Sequence, residues 1–211
     1  KMKKVFTCES CSTKGCRSDD KYPDFCITKK IGEEKTREVL KDYEYENIKN
    51  IMKTSATVEG QNYLKMTRVE ETVDFIKRMD YKLVGIATCI SMLKETKAFC
   101  RVLDSHNIEY RVASCKVGAI DKKEVGIREQ DRLRKEEPHE SMCNPIMQAK
   151  YLEEEGTELN VVIGLCIGHD SLFYMHSKSP VTTLIVKDRV TCHNPAAPLY
   201  NLDGIYSKIL K

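Results

Sequence analysis

The chain has 211 residues, 41% of them hydrophobic and 32% charged, and a formal net charge of +3. That size and balance suit one sizeable core with an appendage and exclude a nucleic-acid binder built on a basic stripe. A membrane span is also excluded, because the longest apolar runs, such as residues 83–90, fall well short of about 20 residues.

The opening residues, KMKKVFTC, lack the apolar stretch of a secretory signal, so a cytoplasmic protein is expected. In that reducing setting the ten cysteines read as metal ligands or catalysts rather than disulfides. Residues 1–30 hold four of them, Cys8, Cys11, Cys16 and Cys26, spaced C-x2-C-x4-C-x9-C among few aliphatics. Such a segment buries little apolar area, so a metal is expected to hold it as a knuckle. Its thiols suit tetrahedral zinc or an iron–sulfur cluster, and spacing alone leaves both open.

Helical periodicity predicts helices over 33–53 and 57–79, in a helical segment covering residues 31–80. From Tyr81 the texture becomes that of an α/β domain, residues 81–211. KLVGIATC reads as a buried parallel strand, and EYRVASC, LNVVIGLC and VTTLIVKD as the second, third and fourth strands. Helices are expected over 91–107, from Asn144-Pro145 to Glu155, and near 171–176, with Asn144 at the N-cap and Pro145 at the first helical position. The charged run 121–140 reads as a solvated excursion. The expected fold is α/β: a parallel sheet of about four strands flanked by helices in three layers, with the cysteine-rich knuckle and helical segment in front.

A second cysteine set, Cys89, Cys115, Cys143 and Cys166, carries the sharper signal. Three of them end successive strands, Cys143 begins the helix leading to the third, and 22 to 27 residues separate neighbours. Strand C-termini of an open parallel sheet share one edge, where ligands bind, so the fold should gather these thiols without a local C-x-x-C motif. Those that precede helices gain thiolate stability from the helix dipole. Cys100, mid-helix beside Phe99, reads as core filling, and Cys192 as a peripheral thiol after the fourth strand.

In Gly164-Leu165-Cys166-Ile167-Gly168-His169-Asp170 the glycines allow close approach to a bound group. His169 is a candidate ligand, proton donor or hydrogen bonder to the site, and Asp170 a candidate cap. Lys116 and Lys187-Asp188-Arg189 would bring charge to the same edge, and His193 lies in the turn beyond. Phosphate loops, G-x-S-x-G elbows and H-E-x-x-H motifs are absent from the sequence.

The N-terminal cysteines together with GIATCISMLKE, SCKVG, CNPIMQA, GLCIGHDSLF, VTTLIVKDRV and HNP resemble an uncharacterised family of anaerobic bacteria and archaea. It is described only as a metal-binding protein or a domain of unknown function. The resemblance spans essentially the whole chain and implies metal binding, with no activity to carry over. Cys192 departs from it, since glycine is more usual before the HNP turn. The anaerobic association favours iron–sulfur over zinc for at least one site.

The expected function is therefore an iron–sulfur protein with a redox or electron-transfer role, working with a redox partner protein or a small-molecule substrate. Cys89, Cys115, Cys143 and Cys166, with His169, would hold a cluster, and the N-terminal set a zinc or second cluster. One alternative is a structural zinc module attached to a ligand- or partner-binding α/β domain. Another is a thiol enzyme with Cys115, Cys143 or Cys166 as nucleophile and His169 as base.

Overall fold

A computed structural model describes residues 5–210. The chain divides into two compact units, Lys1–Thr57 and Val58–Lys211. In the first, short 3-10 turns at Cys8–Ser10 and Gly15–Arg17 precede helix α1 (Ile27–Asp42), which kinks at Gly32, and α2 (Glu46–Asn62) begins. Gly15 is the only buried residue among the described positions of this unit. The helix expected over 33–53 is thus two helices, parted by a turn at residues 43–45.

The helix expected over 57–79 is also interrupted. α2 stops at Asn62, Leu64 adopts a left-handed backbone (φ 58°), and α3 (Arg68–Arg78) starts afresh. The restart is written in Thr67-x-x-Glu70. Thr67 Oγ1 accepts the Glu70 N–H at 3.4 Å, while the Glu70 carboxylate accepts the Thr67 N–H at 2.7 Å. This reciprocal cap satisfies two otherwise orphaned donors.

The second unit is an α/β fold around a four-stranded parallel sheet, with strands β1 (Leu83–Thr88), β2 (Glu109–Ser114), β3 (Leu159–Ile163) and β4 (Val181–Ile185) in the order β2-β1-β3-β4. Helices α4 (Leu93–Ser105), α5 (Pro145–Glu154) and α6 (His169–His176) connect them. The inner strands are the most buried: all five residues of β3, and Val84 through Thr88 of β1. Continuous burial explains their unalternating apolar sequences.

Side chains alternate between the two faces of a strand. On β1, a Cβ at Gly85 would stand 3.0 Å from Leu152 of α5, whereas Thr88 Oγ1 lies 2.7 Å from Thr96 Oγ1 of α4. Their opposite parity puts α4 and α5 on opposite faces, giving three layers. The core between them is filled by fully buried side chains that include Ile86, Leu103, Leu152 and Ile163.

The excursion between β2 and α5 is not the solvated stretch that its charges suggest. Asp121 pairs with Ser141 in an antiparallel bridge, and Asp121 and Glu140 are both buried. Asp121 accepts the backbone N–H groups of Lys123 (2.9 Å) and Glu140 (3.2 Å), and pairs with Arg132 (2.9 Å) and His139 (3.1 Å). Glu140 accepts the Arg134 N–H at 3.1 Å and pairs with Lys122 at 2.6 Å. Two carboxylates organise the loop by replacing water around its backbone donors, which is why a highly charged sequence is ordered here.

Candidate metal centre

Sheet register builds the site. Thr88 of β1 stands opposite Ser114 of β2 and Ile163 of β3, so Cys89 and Cys115 each lie one residue past the same level on adjacent strands. Parallel neighbours run about 4.8 Å apart. Cys89 keeps an extended backbone, which continues the β1 alternation and turns its thiol to the face of Gly85, the α5 face. Cys143 begins the approach to α5 on that face. The Asn144 N–H donates to the Cys115 carbonyl at 2.8 Å, while the Asn144 side chain caps α5 by accepting the Met147 N–H at 3.0 Å.

Three sulfurs from distant segments therefore meet. Cys115 Sγ lies 4.0 Å from Cys89 Sγ and 3.8 Å from Cys143 Sγ. The Ile90 N–H points at Cys115 Sγ at 3.4 Å, and the Ser91 hydroxyl is 3.3 Å from Cys89 Sγ. Cys166 sits beyond β3 in a half-buried loop, where the Arg189 guanidinium donates to its sulfur at 3.0 Å. The same guanidinium is raised first by Cys166 and more weakly by Cys89 and Cys143, which ties Arg189 to both parts of the rim. β1 leads to β2 on one side while β3 lies on the other, which places the rim between Cys89 and the Gly164–Cys166 loop at the point where strand order reverses. Ligands bind at such points in open α/β sheets.

Proton sharing divides the thiols. Hydrogen bonding with Cys115, and then with Ser91, holds Cys89 below the ordinary thiol range. Cys143 is lowered by Cys115 and then by His169. The central Cys115 is pushed up by its two sulfur neighbours, so the outer thiols ionise first. His169 is raised by Cys143 against the opposing effect of its burial, and its Nδ1 is buried without a partner. Lys116 Nζ donates to the Ser141 carbonyl at 2.6 Å and also lowers Cys143, and Lys187 reaches Ser91. These cations favour thiolates at the rim.

Other expected residues lie apart from this triad. Cys100 is half-buried in α4, and burial raises its thiol, in keeping with core filling. Cys192 is exposed with a left-handed backbone (φ 51°). His193 closes the turn, its Nδ1 accepting the Asp188 N–H at 3.1 Å. Asp170 lies in the first turn of α6, where its carboxylate accepts the Ser171 N–H at 2.8 Å. At the N-terminus Cys8 and Cys16 are exposed and Cys11 and Cys26 half-buried, with the Lys14 N–H 3.4 Å from Cys11 Sγ. The Thr13 hydroxyl and that N–H lower the Cys11 thiol.

Sequence reasoning missed Ser91 and Gln148, both polar neighbours of the triad segments. Gln148 has a visible signal, as a polar residue in the stripe Pro145, Gln148, Ala149, Leu152 that α5 buries.

A profile of the family described as "Protein of unknown function (DUF1847)" matches residues 26–184. The chain belongs to this family. An uncharacterised protein of Methanocaldococcus jannaschii, MJ0455, is 45% identical over 165 residues, which cover 78% of this chain and 83% of that protein. The DUF1847 match spans all four rim cysteines, but of the N-terminal set only Cys26.

The donor set suits a thiophilic metal. With Zn–S bonds of about 2.3 Å, tetrahedral geometry sets sulfurs about 3.8 Å apart, close to both rim separations. Among the described residues, no group of three or more His, Cys, Asp or Glu side chains already converges in metal-coordinating geometry. The rim therefore supplies ligand pairs at the right spacing, and a cluster of several metal atoms would require its thiols to spread. Among the described residues, no helix is long and apolar enough to cross a membrane.

Proposed function

We propose that this DUF1847 chain is a metal protein whose rim thiols, Cys89, Cys115, Cys143 and Cys166, hold an iron–sulfur centre with a redox or electron-transfer role. The observation that carries this reading is that the Cys89 and Cys143 sulfurs, from segments far apart in sequence, each come within 4.0 Å of the Cys115 sulfur at one sheet edge. The N–H of Ile90 and the guanidinium of Arg189 already point at two of the sulfurs, the kind of hydrogen bond that tunes a cluster's potential. Lys116, Lys187 and Arg189 offset the charge of an anionic site. The core of the second unit closes on its own side chains, which supports a functional rather than a structural role for a metal here. Such a centre, when bound, supplies one-electron chemistry; the residues bind it and screen its charge. The N-terminal set is the reverse case: it lies in a unit with almost no buried residue, where zinc or a second cluster would supply the missing stability.

A second reading, a single zinc ion at the rim, is favoured by the sulfur separations of 3.8 Å and 4.0 Å. Elemental and sulfide analysis after oxygen-free purification tests both, on the parent, on Cys115→Ser, and on a variant lacking the N-terminal cysteines. About four irons with inorganic sulfide, lost with Cys115→Ser, support the cluster. Zinc lost with Cys115→Ser and no sulfide supports the single ion. A metal-free parent, or metal unaffected by Cys115→Ser, overturns both.

A further inference from the structure

Beneath the triad lies a glutamine that neither the family description nor the ligand set accounts for. Gln148 is 0% exposed on the inner face of α5. Its side-chain amide donates from Nε2 to two carbonyls at once, Ala113 at 2.7 Å and Thr88 at 3.2 Å. Thr88 is the last residue of β1 and precedes Cys89, while Ala113 lies two positions before Cys115. The helix that carries Gln148 begins two residues after Cys143. One amide thus ties together the three segments that bring the closest sulfurs to the rim.

The arrangement has a cost that points to its purpose. Gln148 Oε1 is buried without a hydrogen-bond partner. An unsatisfied buried acceptor destabilises the fold. A leucine or methionine at this place would fill the core without that burden, but would take the Gln148 amide away from the Thr88 and Ala113 carbonyls. Those carbonyls lie within the last two residues of β1 and β2, directly before the chain turns into the rim.

We propose that Gln148 is the positioning residue of the thiol triad: its amide clamps the ends of β1 and β2 to α5 and so fixes the spacing of Cys89, Cys115 and Cys143. The inference deepens the metal reading of the rim and rests on it for its function, although the clamp itself is a claim about sulfur spacing.

The test uses the full chain with Cys8, Cys11, Cys16, Cys26 and Cys192 changed to serine and Cys100 to alanine, so that only the four rim thiols report. Two probes are titrated into this metal-free parent and into its Gln148→Met form, which keeps the size and loses the donor. Cobalt(II) reports a thiolate site through its sulfur-to-cobalt absorption. A trivalent monoarsenical reports spacing independently of metal, since its arsenic bonds two neighbouring sulfurs and its oxygen leaves as water with the two thiol protons. Gln148→Met should melt cooperatively yet bind cobalt about 10–100-fold more weakly, as loss of a supporting hydrogen bond behind metal ligands does. Arsenical capture should weaken alongside.

A folded Gln148→Met that binds both probes like the parent overturns the proposal and leaves the metal reading intact. If the parent takes no cobalt but Gln148→Met loses arsenical capture, the metal reading fails and the clamp stands. Gln148→Glu, whose carboxylate repels the same carbonyls, is the second variant and should behave as Gln148→Met does. Failure of both variants to fold assigns Gln148 to the core alone and also overturns the proposal.

Discussion

Gly164→Ala should destabilise the second unit by about 3 kcal/mol and disturb the rim with it. Two physical causes add at this position. Gly164 has φ 63°, and a left-handed backbone costs an L-residue about 1–2 kcal/mol. A Cβ there would also stand 2.7 Å from Met92 Cγ, and Met92 is 1% exposed, so it has nowhere to retreat. Overpacking of this kind costs about 1–3 kcal/mol. Met92 is fastened to the rim because its N–H donates to the Cys89 carbonyl at 2.8 Å, so displacing it pushes on Cys89. Gly126 is the control: its φ is 74°, and no atom lies within 4 Å of its would-be Cβ, so Gly126→Ala isolates the backbone cost of about 1 kcal/mol. Urea denaturation of both variants, followed by circular dichroism, gives the comparison, with alkylation of Cys89 read by mass spectrometry. Equal losses in the two variants would refute the steric argument, and a Gly164→Ala chain as stable as the parent would refute both causes.

Asn144→Ala removes the α5 cap on Met147 and should cost about 1 kcal/mol, read as a lowered thermal midpoint. His169→Ala removes a group that holds the Cys143 thiol down, so the pH profile of Cys143 alkylation in metal-free protein should move upward. A profile identical to the parent's would separate His169 from the thiol. Asp121 is held below the usual carboxylate range, first by the Lys123 N–H and then by the Glu140 N–H and Arg132. A depressed folded-state value means stability that is full above the unfolded-state value and lost as pH falls through the folded one. Asp121→Asn should therefore lower the denaturation midpoint at neutral pH and lose that effect in acid; an equal deficit at both would refute the electrostatic account.

The inner strands β1 and β3 were legible as short, continuously apolar runs, and the mixed edge strands β2 and β4 by their place in the alternation of strand and helix, which implies the layering. The convergence of Cys89 with Cys115 was legible from their places at strand ends, and register explains it: Thr88 stands opposite Ser114. Three things were hidden. The break before α3 rests on one capping box, which is weaker as a sequence signal than the apolar stripe running across it. The order in residues 121–140 depends on which acidic side chains turn inward, and composition does not reveal that Asp121 and Glu140 alone are buried among so many exposed charges. The placement of Gln148 depends on how α5 packs over the ends of β1 and β2, a tertiary contact that no single segment carries.

The two cysteine sets stand in opposite relations to folding, and this separates their roles more sharply than their spacing does. Val58–Lys211 contains the sheet and nearly all of the buried residues among those described, and its rim thiols run from buried Cys89 and Cys115 to half-buried Cys143 and Cys166 at the edge of that core. Changing a rim cysteine to serine removes one sulfur from an edge whose backbone is held by strand pairing, the Asn144 contact and the Gln148 amide, so the fold should survive while binding is lost. In Lys1–Thr57 only Gly15 is buried among the described residues, so the four thiols there have no comparable scaffold beneath them. If a metal is what holds that segment, removing Cys11 should unfold it locally and expose it to protease, leaving the melting of the sheet domain unchanged. Limited proteolysis of Cys11→Ser beside Cys115→Ser distinguishes the cases. Rapid cleavage confined to the first segment in Cys11→Ser, and none in Cys115→Ser, is the expected pattern; equal resistance in both would show that the N-terminal thiols have no structural role.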